Sequence, residues 1–152
     1  MQVSARAQDG HQDDALGALM YDAIHNARSQ YTAAERQAWL AAPNTGQDWS
    51  ARLAAQQVAV AHKGCALLGF MTLKGDYIDL AFVAAHAQGR GVFRSLFAWV
   101  ESAAQGQQRL WTHASLMAQP AFLAVGFRVI RHETVAQKGQ HLRRAEMEKL
   151  LK

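Results

Sequence analysis

The chain has 152 residues, one domain's worth of polypeptide, and a domain of that size buries about two thirds of the surface its unfolded form exposes. Half of the residues are hydrophobic, 18% are charged and two are proline, which excludes disordered, collagen-like and low-complexity classes. Sixteen Lys and Arg against twelve Asp and Glu leave a net +4, which suits anionic ligands, but the arginines are scattered rather than blocked, which argues against nucleic acid.

In chain order, Val3 to Ala7 reads as a first strand. Leu16, Leu19, Met20, Ala23, Ile24 and Ala27 then recur at helical spacing, with Asp13 and Asp14 placed for a positive helix N-terminus, so an amphipathic helix follows. Thr32-Ala33-Ala34-Glu35 has the capping-box pattern and opens a short helix through Ala41, closed by Pro43. Pro43 to Ser50 reads as a loop and Asp48 to Ala55 as one or two further turns. The period then changes. Gln57 to His62 and Ala66 to Leu73, joined at Lys63-Gly64, predict a hairpin, and Lys74-Gly75-Asp76 turns into a further strand, Tyr77 to Val83. Strict alternation puts Tyr77, Asp79, Ala81 and Val83 on one face of that strand and Ile78, Leu80 and Phe82 on the other. Gly91 to Ala104 is helical again, Arg109 to His113 a short strand and Pro120 to Val125 a short helix. Gly126 to Gln137 turns at Lys138-Gly139 into a last strand, His141 to Leu150. No repeat and no linker divides the chain, so one domain over residues 1–152 with a mixed α/β sheet is expected.

The longest apolar stretch, Cys65 to Leu73, is far short of the roughly 18 to 20 residues of a membrane span. The N-terminus lacks the basic start and apolar run of a secretory signal, and the single Cys65 has no partner for an intramolecular disulfide, so a cytoplasmic location without membrane association is expected.

Gln88-Gly89-Arg90-Gly91-Val92 joins the strand YIDLAFV to the following helix, and a glycine-bearing turn at a helix N-terminus presents unpaired N–H groups and partial positive charge to a phosphate. A dinucleotide G-x-G-x-x-G fails because its third glycine falls on Arg94, and a Walker A loop fails for want of G-K-[ST]. Taken alone, QGRG equally describes a strand-to-helix turn that needs flexible glycines.

The longer stretch YIDLAFVAAHAQGRGVFRSLFAWVE resembles the central motif of the GCN5-related N-acetyltransferases, Q/R-x-x-G-x-G/A, which follows a fourth strand and opens the helix that holds the pyrophosphate of coenzyme A. HASLMAQPAFLAVGFRVIRHETV is similar to that family's second conserved stretch: a fifth strand, a short helix and a Gly-Phe opening the sixth strand. The likeness is strong over about residues 56 to 150, holds for the N-terminal helices by position only, and is nearest to small bacterial members. It implies a mostly antiparallel sheet of six to seven strands flanked by helices, with the fourth and fifth strands splayed around the cofactor. By position it implies that Gln88, Gly89, Arg90, Gly91, Val92 and Phe93 surround the pyrophosphate, that Phe82 and Val83 hydrogen-bond pantetheine through their backbones, and that Ser115 stands near the cofactor. Phe93 departs from the motif's final Gly or Ala, and the helical period turns it toward Leu96 and Phe97. Phe122 stands where the family often has the Tyr that protonates the leaving thiolate.

The implied activity is acetyl transfer from acetyl-CoA to a primary amine, small molecule or peptide, by direct attack in a ternary complex. The alternative is a weak or silent acyl-CoA sensor. A thiol of pKa about 8.5 leaves as thiolate near pH 7.4 at a cost of roughly 1.5 kcal/mol, whereas an amine of pKa about 10.4 is neutral in about one molecule in a thousand, worth about 4 kcal/mol. A base therefore matters more than an acid. Asp79 and Tyr77, on one face beside the implied thioester, are the candidates, and Tyr31, between the first two helices, is a candidate acid or substrate contact.

His25, His86, His113, His132 and His141 show no i, i+4 pair and no Cys partner, so no metal site is expected. Cys65 reads as a small hydrophobe, Ser95 and Ser115 lack a G-x-S-x-G, and the four tryptophans are not grouped with basic residues as a base-stacking platform would be. The acceptor carries no readable code, and a homodimer through the last strands stays open.

Overall fold

The computed structural model describes residues 1–152. Seven strands, β1 (Gln2–Ala5), β2 (Gln57–Lys63), β3 (Ala66–Lys74), β4 (Tyr77–Val83), β5 (Arg109–Ser115), β6 (Arg128–Gln137) and β7 (Gln140–Leu150), form one sheet in the order β1-β2-β3-β4-β5-β7-β6. Every neighbouring pair is antiparallel except β4 with β5. Helices α1 (Asp13–His25), α2 (Ala33–Trp39) and α3 (Gly46–Ala54) precede β2, α4 (Val92–Ala103) joins β4 to β5, and α5 (Gln119–Ala124) joins β5 to β6. None is long and apolar enough to cross a membrane.

Local chemistry sets most boundaries. The capping box forms: Thr32 Oγ1 accepts from the Glu35 N–H at 3.0 Å and Glu35 Oε1 from the Thr32 N–H at 2.8 Å. α1 starts at Asp13 but stops at His25, because the Asn26 N–H closes the last turn on the Asp22 carbonyl. β1 ends at Ala5, not Ala7, though the Arg6 N–H still reaches the Val58 carbonyl at 2.9 Å while its side chain bonds Asp13. α3 is a helix of nine residues, longer than expected, because Trp49 and Leu53 bury one of its faces. β5 runs two residues past His113 and so carries Ser115 to its end.

Successive residues of β3 face opposite layers. The Gly69 Cα points at Val92 and Leu96 of α4, while Phe70 packs edge-on against Trp49 of α3. Phe70, Leu96, Val100, Leu110 and Met147 are fully buried, and burying a side chain of this size is worth about 1.5–3 kcal/mol.

Two irregularities shape the middle of the sheet. Met71 pairs with Ala81 but Leu73 with Ile78, so Thr72 alone stands opposite both Asp79 and Leu80: a one-residue bulge in β4. The buried Thr72 hydroxyl accepts the Leu80 N–H at 3.0 Å. Strict alternation along β4 therefore fails. Across the bulge Tyr77 lies opposite Lys74 and Phe82 opposite Phe70, so Phe82 shares the face of Tyr77 and Asp79, and Ala81 and Val83 share that of Ile78. The second irregularity is the splay. β4 and β5 pair only at Tyr77 with Trp111 and Ile78 with Thr112, where Thr112 Oγ1 also donates to the Ile78 carbonyl at 2.8 Å; beyond that they part.

Candidate functional site

Between β4 and α4 the chain makes a single 3₁₀ turn at Ala85–Ala87 and then the QGRG loop. Gly89 has φ +75° and Gly91, the residue that caps α4, has φ +81°, left-handed values that glycine reaches without strain. The backbone N–H groups from Gln88 through Arg94 donate to no backbone carbonyl, a run of open donors at the positive end of α4. Gln88, Gly89, Gly91, Val92 and Phe93 line a cavity of about 340 Å³ whose walls carry no acidic residue. Arg90 lies off its wall, while Arg94, which sequence reasoning passed over, lies on it.

The cavity continues from that loop into the gap between the splayed strands. The Ala84 N–H donates to the Leu68 carbonyl, and in an antiparallel ladder this alternation turns the backbone groups of Phe82 toward β3 and those of Ala81 and Val83 toward the gap. Phe82 thus presents its ring rather than its amide, leaning on Trp39 at 6.0 Å between centroids, and the Val83 carbonyl accepts from Gln88 Nε2 at 3.2 Å. Ser115 lies on the opposite wall, its hydroxyl accepting from the Ala118 N–H at 3.2 Å. Phe93 is half-buried and packs edge-to-face on Phe122 at 5.0 Å rather than turning wholly under the helix. Phe122 itself is fully buried and packs edge-on against Phe127 at 4.9 Å.

A second cavity of about 380 Å³ opens on the other side and shares Trp39, Ala81, Phe82, Ser115 and Ala118 with the first. Tyr31, Tyr77, Asp79 and Phe122 all line it. Asp79 takes a two-pronged bond from Arg52, at 3.0 and 3.1 Å, and a third bond from Gln56 at 2.8 Å. Tyr31 is buried and its hydroxyl is doubly used, donating to the Arg143 carbonyl at 2.6 Å and accepting from the Leu116 N–H at 2.9 Å. Burial pushes its pKa up. Tyr77 touches His113 Nδ1 at 2.8 Å, and burial, with the Asp79 charge, raises its pKa too. His113 Nε2 lies 3.3 Å from Glu133 Oε1, which also accepts from Arg144 Nε at 3.0 Å. Burial first and the Arg144 charge second hold His113 below its usual value.

Arg52, His113, Glu133 and Arg144 were missed as site residues. Period-two alternation along β5 puts His113 with Trp111 and Ser115, but only the Tyr77–Trp111 register brings that face to Tyr77.

An acetyltransferase (GNAT) domain profile matches residues 18–151, from within α1 to the last residue of β7 and one beyond. A curated protein of Escherichia coli K12, the uncharacterized N-acetyltransferase YafP, is 31% identical over 91 residues, 60% of this chain and 59% of that protein. The aligned region thus spans less than two thirds of that relative's length. Among solved structures, a GCN5-related N-acetyltransferase from Rhodopseudomonas palustris superposes with TM-score 0.89 at 26% identity, over 99% of this chain and 95% of that one. A putative acetyltransferase from Salmonella typhimurium, solved with acetyl-CoA, shares the fold with TM-score 0.69 at 16% identity, over 100% and 94% of the two chains. The profile reaches across the splayed strands, the glycine loop and both cavities, and on that footing the chain belongs to the GNAT acetyltransferase family.

Proposed function

We propose that this chain, acting as one domain, moves an acetyl group from acetyl-CoA to a primary amine by direct attack within a ternary complex. The observation that carries the reading is the meeting of two cavities at Phe82, Ser115 and Ala118, one ending at open amides and the other at polar side chains. A diphosphate suits the first end, where seven successive amides and Arg94 meet it without an opposing carboxylate, and an amide-bearing apolar arm suits the open edge of β4. When bound, acetyl-CoA supplies a thioester carbon that an amine can attack.

The residues then divide the work. Gln88 to Phe93 hold the pyrophosphate through backbone N–H groups, and Ala81 and Val83 hold the arm. The Val83 amide, which faces the gap, is placed for the oxyanion. On the acceptor side Asp79 fixes the Arg52 guanidinium at the cavity wall, Tyr77 faces the amine, and Tyr31 ties the α1–α2 loop to β7 and to the residue that follows β5, so that the wall keeps its shape.

The test has two parts. Thermal unfolding with and without coenzyme A reads the cofactor site, and thiol release from acetyl-CoA with a panel of primary amines reads the chemistry. A rise in Tm and release with at least one amine are expected, with Asp79→Asn and Tyr31→Phe both slower. No shift at saturating coenzyme A overturns the reading. A shift with no release from any amine assigns the chain instead to acyl-CoA sensing, which the apolar Phe122 favours.

A further inference from the structure

We infer that Glu133, His113 and Tyr77 form a proton relay whose outer oxygen, Tyr77 Oη, takes the proton that the acceptor amine loses. The relay presupposes the acetyl transfer proposed above.

Its geometry is a chain of contacts from the acceptor cavity into the sheet. Tyr77 Oη is 2.8 Å from His113 Nδ1, His113 Nε2 is 3.3 Å from Glu133 Oε1, and Arg144 Nε holds the same Glu133 oxygen at 3.0 Å. Tyr77, His113 and Arg144 line the cavity; Glu133 stands behind them. In the tautomer that the relay uses, Nε2 carries the imidazole hydrogen beside the Glu133 carboxylate, an ion-pair contact at 3.3 Å, Nδ1 is bare, and the Tyr77 O–H donates to it. The phenol oxygen keeps its lone pairs for a donor in the cavity. A ring nitrogen oriented by a carboxylate and bonded to a hydroxyl is the arrangement that activates hydroxyl groups in nucleophilic catalysis. Here the activated oxygen relays a proton and does not attack.

The amine nitrogen bonds to the acetyl carbon, the carbon–sulfur bond breaks and its electron pair leaves on sulfur. The nitrogen's proton passes to Tyr77 Oη as the Tyr77 proton passes to His113 Nδ1, and the imidazolium is held by Glu133. His113 then gives up a proton through Tyr77, and the thiolate takes one up, restoring neutral His113 and free thiol. Nothing is oxidised or reduced.

The relay demands a neutral imidazole before each turnover, and the surroundings supply one. Burial and the charges of Arg144 and Arg131 disfavour the imidazolium, against Glu133 and Glu146, which favour it. Tyr77 and Trp111 complete the shell from β4 and β5, with Asp79 and Arg52 beyond Tyr77. The acid limb that belongs to His113 should therefore lie below its usual pKa of about 6.5, apart from the fall that protonation of the amine itself imposes.

The experiment measures kcat against pH, by thiol release with the amine the wild type uses fastest, for wild type, Tyr77→Phe, His113→Gln, their double variant, Glu133→Gln and Arg144→Gln. Each of the first two variants should lose roughly a hundredfold in kcat, the double variant no more than either, because they act as one unit. The acid limb should move up in Arg144→Gln, which removes a cation, and down in Glu133→Gln, which removes an anion. Imidazole ¹⁵N spectra of the wild type give a readout apart from activity, with Nδ1 bare and Nε2 protonated. A protonated Nδ1 at neutral pH, or Tyr77→Phe and His113→Gln within twofold of wild type with an unmoved limb, overturns the relay and leaves acetyl transfer standing. No turnover of any amine by the wild type overturns both.

Discussion

Gly91 caps α4 with φ +81°, and a Cβ built there meets nothing within 4 Å. The cost of a side chain at that position is thus conformational alone, about 1–2 kcal/mol for a left-handed residue. Gly91→Ala is expected to lower Tm by about 2–8 °C, and to weaken coenzyme A binding further if the chain relieves strain by rotating the amides away from the phosphates. Differential scanning with and without coenzyme A separates the two effects. A protein that melts like the wild type in both conditions would show that the left-handed turn is dispensable. The QGRG turn itself was legible in sequence as a glycine-bearing strand-to-helix junction, and only the longer family likeness favoured a phosphate loop over a flexible turn. Which neighbours line the cavity was not: Arg94, in the first turn of α4, reaches the wall, while Arg90, in the loop before it, lies off it.

At the scale of elements, the β4 bulge decides which side chains meet. Without it, Phe82 would join Ile78 under α4 and the face of Tyr77 and Asp79 would lose the ring that divides the two cavities. The Thr72 hydroxyl accepts the Leu80 N–H at the bulge, in a bond that is buried. Thr72→Val keeps the shape and removes that acceptor, taking a buried hydrogen bond from the Leu80 N–H. A loss of about 1–3 kcal/mol is expected in urea unfolding, with an unchanged m value. Amine acetylation should fall by more than the stability loss explains, since the Phe82 phase depends on the bulge. Alternation read from YIDLAFV missed this, because a bulge arises from pairing with a partner strand and Thr72 offers no sign of it within β4's own residues.

For the molecule as a whole, Arg6 and Asp13 tie the end of β1 to the start of α1 in a two-pronged ion pair, 2.7 and 2.8 Å, with both side chains largely buried. The Arg6 bond holds the Asp13 carboxyl below its usual value of 3.8, against a smaller opposing effect of burial. A depressed native pKa stabilises the fold above the unfolded value and loses that contribution as pH falls through the native one. The contribution of this pair should therefore be constant from pH 7 to about 5 and be lost below about 4. Asp13→Asn should flatten that acid decline while costing about 3–5 kcal/mol at neutral pH, because Arg6 would stay buried without its partner. Urea unfolding at pH 7 and pH 3 for both proteins checks the sign. A variant as stable as the wild type at pH 7 would show that the pair is not a clasp. Charge also guards the sheet's outer strand: β6 carries Arg128, Arg131, His132 and Glu133, which discourage edge-to-edge pairing.

The order of helices and strands, the capped start of α2, the glycine loop before α4 and the family likeness all follow from neighbours along the chain, where spacing and turn chemistry act over a few residues. The register of β4 against β3 and β5 does not, because pairing joins residues distant in sequence and a single extra residue reverses every face beyond it. Tyr77 was legible as a strand residue beside Asp79. Its contact with His113, and through it Glu133, exists only because a parallel pair two residues long fixes Trp111 beside it and then lets the strands separate.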